Sequence, residues 1–100
     1  MVKSYEADLK AKYRLYLEKE GCFWSNVTGG NYSKPGDPDT IACIDGYYLA
    51  IEAKTPGEIP TEEQILRKMQ ILASGGMHMY AYHLEDVKDA VRRIRNGERI

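Results

Sequence analysis

The sequence is short of most features that would fix its class by themselves. It has only two cysteines, Cys22 and Cys43, and they are not in CxxC spacing. That excludes a disulfide-stapled scaffold and a cysteine-rich zinc site. Both sit in apolar surroundings and are expected as reduced, buried thiols. No run approaches the ~20 apolar residues of a membrane span. The opening MVKSYEADLK becomes charged at once and does not read as a signal peptide, so the expected compartment is the cytoplasm. There is no basic excess either: 14 Lys and Arg face 15 Asp and Glu, for a net charge of −1. A compact nucleic-acid binder is usually basic. Any such contact must therefore come from local patches, here Lys10, Lys12 and Arg14, or Arg92, Arg93, Arg95 and Arg99, or from copies pooling them. Phe and Trp occur once each, and the aromatic content rests on eight tyrosines. Tyrosines close core edges or line interfaces. Repeats, linkers and low-complexity segments are absent.

What remains is an ordinary globular composition, 43% apolar and 29% charged, on a chain of 100 residues. That length reads as one domain spanning residues 1–100, able to bury roughly 60–65% of its unfolded surface. Residues 4–20 read as a helix capped by Ser4 and followed by Gly21. Its apolar stripe of Tyr5, Leu9, Tyr13, Tyr16 and Leu17 covers about a third of the circumference. Glu6 falls inside that stripe, where a carboxylate needs a partner. Residues 22–27 read as a strand, and 28–38, rich in Gly and Pro, as a loop. Two strands, 40–44 and 47–54, flank Asp45-Gly46, a strong hairpin signal. Thr61 opens a helix with Gln64 at capping-box spacing and an apolar face of Ile65, Leu66, Met69, Leu72 and Ala73. Gly75-Gly76 ends it. A strand at 77–83 and a helix over 85–95, acidic first and basic last, complete the order α-β-β-β-α-β-α.

The hairpin serves as a ruler. A tight turn at Asp45-Gly46 pairs residues whose numbers sum to 91, so Ala42 faces Leu49 and Asp39 faces Glu52. Opposed residues share a face with Cβ atoms about 4.5–5.5 Å apart. Glu52 and Lys54, two apart on one strand, share it too. Leu49, Ile51 and Ala53 point to the other face, into the core. Two opposed carboxylates destabilise a hairpin unless something neutralises them, and a hard divalent cation does so. A lysine alongside can orient a water or stabilise developing phosphate charge. The bland alternative is a solvated face, with Lys54 paired to Glu52 and Asp39 capping a turn.

Pro38-Asp39, twelve intervening residues, then Glu52-Ala53-Lys54, with Thr61-Glu62-Glu63-Gln64 opening the next helix, resembles the PD-(D/E)xK nuclease superfamily. More closely, it is similar to the VRR-NUC family, the virus-type replication-repair nucleases. Glu6 on the first helix, KEGCFW at the helix-to-strand passage, and Gly75-Gly76 before the last strand also fit. The resemblance runs from about residue 5 to residue 84 and implies an α/β restriction-endonuclease-like core, αβββαβ(α), with a mixed sheet flanked by helices. It implies Mg²⁺- or Mn²⁺-dependent hydrolysis of phosphodiester bonds in DNA, branched DNA such as Holliday junctions included, by a homodimer; a nuclease of only 100 residues suits a phage or bacterial origin. Asp39 and Glu52 would be metal ligands, with the Ala53 carbonyl adding an oxygen and Glu6 completing or supporting the site. Lys54 would be the catalytic lysine. Gln64 would lie near the substrate phosphate or water, unless it serves only the capping box.

Two readings from other classes compete. One is a catalytically silent nuclease fold that grips branched DNA, and the other a hydrolase using the carboxylates as acid and base. An intact D…ExK set disfavours the first, and the adjacent lysine disfavours the second. His78 and His83 lack companions for a zinc site and read as structural or surface residues. Gly29-Gly30 lacks the GK[ST] of a phosphate-binding loop. Asp37 faces Lys54 in the ruler but reads as a loop residue.

Overall fold

The computed structural model describes residues 4–27 and 33–100. Gly29-Gly30 and the start of the expected 28–38 loop lie outside them. The elements are α1 (Tyr5–Lys19), β1 (Phe23–Asn26), β2 (Thr40–Ile44), β3 (Tyr47–Ala53), α2 (Glu62–Ala73), β4 (Met77–Ala81) and α3 (Leu84–Arg95). Ser4 caps α1 through the Ala7 N–H at 3.0 Å. Thr61 and Gln64 form the capping box of α2. The strands lie in the order β1-β2-β3-β4. The first two pairings are antiparallel and the β3–β4 pairing is parallel, so the sheet is mixed. The β3-α2-β4 passage is the long crossover that a parallel pair needs.

The hairpin register follows the sum of 91: Thr40 pairs Ile51, Ala42 pairs Leu49 and Ile44 pairs Tyr47. The turn takes Asp45 and Gly46 to φ of 50° and 91°, the double left-handed conformation of a type I′ turn. Alternation then sorts the sheet into two faces. On one, Ala42, Ile44, Leu49, Ile51, Ala53, Met77 and Ala81 join Leu9, Tyr13 and Leu17 of α1 and Val87, Ala90, Val91 and Ile94 of α3 in the core. The other face carries Ala50 and Glu52 of β3, Lys54 just after it, and His78 and Tyr80 of β4, and α2 lies against it.

Two expectations change and one alternative falls away. The polar side of β3 is not a solvated face, because Glu52 and Lys54 are 3% and 1% exposed. The crossover helix covers the polar face, as parallel-sheet geometry requires. The apolar stripe of α2 faces outward, with Ile65, Leu66, Met69 and Leu72 between 44% and 62% exposed. Cys43 is exposed while Cys22 is buried, because Cys43 sits on the sheet face opposite the core.

Candidate active site

β2 delivers Asp39 one residue before its first paired position. The Asp39 backbone carbonyl accepts from Val27 N–H at 3.0 Å, tying the approach to β1. Its carboxylate Oδ2 accepts from the Ala53 N–H at 2.9 Å. A residue's N–H and C=O leave an extended strand on the same edge, so the Ala53 carbonyl also faces the Asp39 side. Gly36 packs so tightly on the start of α2 that a Cβ there would lie 2.4 Å from the Glu63 backbone. That contact seats the loop before Asp39 against the helix carrying Gln64.

Gln64 joins the strand residues. Its Oε1 accepts from Lys54 Nζ at 2.5 Å and from the Thr61 N–H at 2.9 Å, and its Nε2 donates to Glu52 Oε1 at 2.8 Å. Gln64 serves the capping box and does more than that: the oxygen that completes the box also holds the lysine. Lys54 Nζ lies 3.4 Å from Glu58 Oε2. A backbone bond from Thr55 holds the Glu58 carboxyl below its ordinary range, with Lys54 and a hydrogen bond from Glu6 adding to it. The Glu6 carboxyl is correspondingly raised, first by burial and then by the charges of Glu58 and Asp39, against the opposing pull of Lys54 and Lys10. Glu6 thus lies at the rim of the site, in the field of the same charges.

Among the described residues, no three His, Cys, Asp or Glu side chains already converge as a metal set. Glu6, Asp39 and Glu52 are neighbours rather than a closed cage. The donor set still fits a magnesium-like ion, which takes one or two carboxylates and keeps its waters. Glu52 Oε2 is buried with no hydrogen-bond partner, and Lys10 Nζ stands 3.8 Å from Asp39 Oδ1.

Sequence alone did not single out Glu58 or Lys10 beside the site, nor the burial of His78 next to Glu52. Lys10 is four residues after Glu6, which is one helix face, so its signal was present. Asp37 turns away from Lys54 and pairs with Arg67 at 3.2 Å. The basic patches are largely spent within the chain. Lys12 pairs with Asp8 and Arg14 bonds Thr40, while Arg92 and Arg93 pair with Asp89 and Arg95 with Glu20.

With this geometry in place, comparison with solved structures decides the fold. A structure described as a VRR_NUC domain superposes with a TM-score of 0.76 over 90% of this chain and 97% of its own, at 15% identity. The fold is that of a VRR_NUC domain. The Hjc Holliday junction resolvase of Archaeoglobus fulgidus is also similar, with a TM-score of 0.57 and 23% identity over 75% of this chain and 65% of that one. No family model and no curated protein matches the sequence. Among the described residues, no helix is long and apolar enough to cross a membrane.

Proposed function

We propose that this VRR_NUC-like chain is a divalent-metal-dependent endodeoxyribonuclease acting on branched DNA, Holliday junctions included. The observation that carries the reading is the Lys54–Gln64–Glu52 hydrogen-bonded chain beside Asp39. It gathers a cation, a neutral relay and two carboxylates from two strands and a helix, which a purely gripping surface does not need. The neighbouring folds include one named a Holliday junction resolvase.

Asp39, Glu52 and the Ala53 carbonyl would hold Mg²⁺ or Mn²⁺, with Glu6 supporting the site from its rim. When bound, such an ion polarises the phosphate and lowers the pKa of its water. The protein's own part is positional. Ala53 N–H fixes the Asp39 carboxylate, and Gln64 Nε2 fixes Glu52. Gln64 Oε1 holds the Lys54 ammonium in place, where a cation in a low-dielectric site stabilises negative charge as it develops on the phosphate. Burial of Glu52 and Lys54 strengthens each of these interactions.

The active unit would be a homodimer. The exposed stripe of Ile65, Leu66, Met69 and Leu72 supports it, and one small domain reaches one scissile phosphate while a junction has two-fold pseudo-symmetry. Incubation with labelled four-way junction and linear duplex, in Mg²⁺ or EDTA, tests the activity. Paired junction incisions that EDTA abolishes, with little duplex cutting and a steep loss with salt, are expected. No cleavage of any branched DNA in Mg²⁺ or Mn²⁺ refutes the activity, and a fully active strict monomer by light scattering refutes the dimer.

A further inference from the structure

Among the described residues, four buried side-chain atoms lack a hydrogen-bond partner: Glu52 Oε2, both ring nitrogens of His78 and the Tyr80 hydroxyl. They lie together. The β3–β4 register sets Ala50 beside His78 and Glu52 beside Tyr80, so alternation places Glu52, His78 and Tyr80 on the sheet face beneath α2. His78 Nε2 is 3.8 Å from Glu52 Oε2, and the His78 and Tyr80 rings meet edge-on with centroids 4.8 Å apart. Each unpaired buried donor or acceptor costs about 1–3 kcal/mol. Three neighbouring residues that leave four such atoms in one place point to a shared use.

We propose that His78 is a positioning residue for Glu52, its imidazole donating Nε2–H to Glu52 Oε2. The inference rests on Glu52 being a cation ligand. The gap of 3.8 Å is too short for an intervening water, whose two partners stand about 4.5 Å apart. It closes to an ordinary hydrogen bond when either side chain rotates by about 0.9 Å, the difference between 3.8 Å and the usual ~2.9 Å. Gln64 already holds Oε1 at 2.8 Å, so with His78 on Oε2 the carboxylate plane is fixed from both sides. Each carboxylate oxygen keeps a further lone pair for a cation. Burial, and then the Glu52 charge, raise the Tyr80 phenol above its ordinary range. Tyr80 therefore keeps its proton beside His78. The competing arrangement, Nε2 itself as a metal ligand, needs the ring proton on Nδ1 instead.

That difference makes the test. The chain has two histidines, so ¹H–¹⁵N long-range spectra of the wild-type protein, with His83→Gln for assignment, report the His78 tautomer whatever the stability of any variant. A proton on Nε2 is expected, and an Nε2 without one overturns the proposal. Calorimetric titration with Mn²⁺ alone follows on the wild type, His78→Leu and His78→Gln. His78→Leu should weaken affinity about 10–100-fold, the usual effect of losing an outer hydrogen bond to a ligand. His78→Gln, which supplies an N–H, should recover most of it. Wild-type affinity in His78→Leu, or a His78→Gln as weak as His78→Leu, overturns it. His78-dependent Mn²⁺ binding without DNA cleavage would refute the nuclease reading alone. Cleavage with Mn²⁺ affinity indifferent to His78 would refute this one alone.

Discussion

Glu52→Gln should make the metal-free protein more stable and the metal-loaded protein less stable than wild type. Glu52 is 3% exposed, and its Oε2 has no partner. A buried, under-bonded acceptor costs about 1–3 kcal/mol, and more when charged. Across the hairpin the Asp39 carboxylate adds like-charge repulsion. The amide keeps the shape, ends the repulsion and carries no charge to desolvate, and its N–H can donate to His78 Nε2 once the ring proton sits on Nδ1. Against this, Lys54 loses one nearby anion but keeps Glu58 at 3.4 Å and Gln64 at 2.5 Å. The balance is a gain of about 1–2 kcal/mol, or roughly 5–15 °C in Tm for a domain of this size. Magnesium reverses the order. At a hundred times Kd, a bound ligand adds about 2.7 kcal/mol to the state that binds it. The wild type gains this and the variant, lacking a ligand, gains almost none. Thermal melts followed by circular dichroism in EDTA and in Mg²⁺, for both proteins, read the crossing. A variant less stable than wild type in EDTA, or one with the full magnesium shift, would refute the reasoning.

Other perturbations separate the site from the core. Lys54→Met should lower cleavage of a four-way junction about 10²–10³-fold while Mn²⁺ affinity holds, since an ammonium has no lone pair to give; single-turnover kinetics beside calorimetry would check both. Leu17→Ala, at a fully buried position of α1, should cost about 2–5 kcal/mol, read by urea denaturation. Burial pushes the Tyr13 phenol up to about 12 from its ordinary 10. A raised folded pKa means its contribution is complete below pH 10 and is lost as pH climbs from 10 to 12. That amounts to about 2–3 kcal/mol, so Tyr13→Phe should flatten the alkaline limb of a stability–pH curve between those values.

Most of the fold was legible because its signals are local. Asp45-Gly46 fixes a turn and hence a register, and Thr61 with Gln64 fixes a helix start. Alternation in 47–53 and helical spacing in α1 fix the core face. The same ruler brought Asp39 to Glu52 and Lys54. What it missed belongs to pairings with no local marker. Nothing in Met77–Ala81 says which residue of β3 stands beside His78, because a parallel register is set across a crossover and not by a turn. The outward stripe of α2 misled for a related reason. Helical spacing identifies an apolar face but not what covers it, and here the sheet takes the face carrying Gln64, Arg67 and Ile71.

The two faces of the sheet also explain why a site with so many unpaired groups is tolerated in so small a domain. The core face is closed without it: α1 and α3 bury an apolar layer, and Tyr13 Oη meets Thr40 at 2.8 Å. The opposite face holds the buried Glu52, Lys54 and His78 under a helix whose stripe of Ile65, Leu66, Met69 and Leu72 points away from them. Stability is thus concentrated in one layer and the candidate site in the other, and α1 is the helix that serves both, through Leu9 and Leu17 inward and Glu6 and Lys10 at the rim. A face built this way is destabilising by itself and would relax on binding a cation, the usual cost of a prepared site. It follows that removing the under-bonded charge of Glu52 should stabilise the chain, whereas neutralising the paired Lys54 should not, and shifting α1 should disturb core and site together.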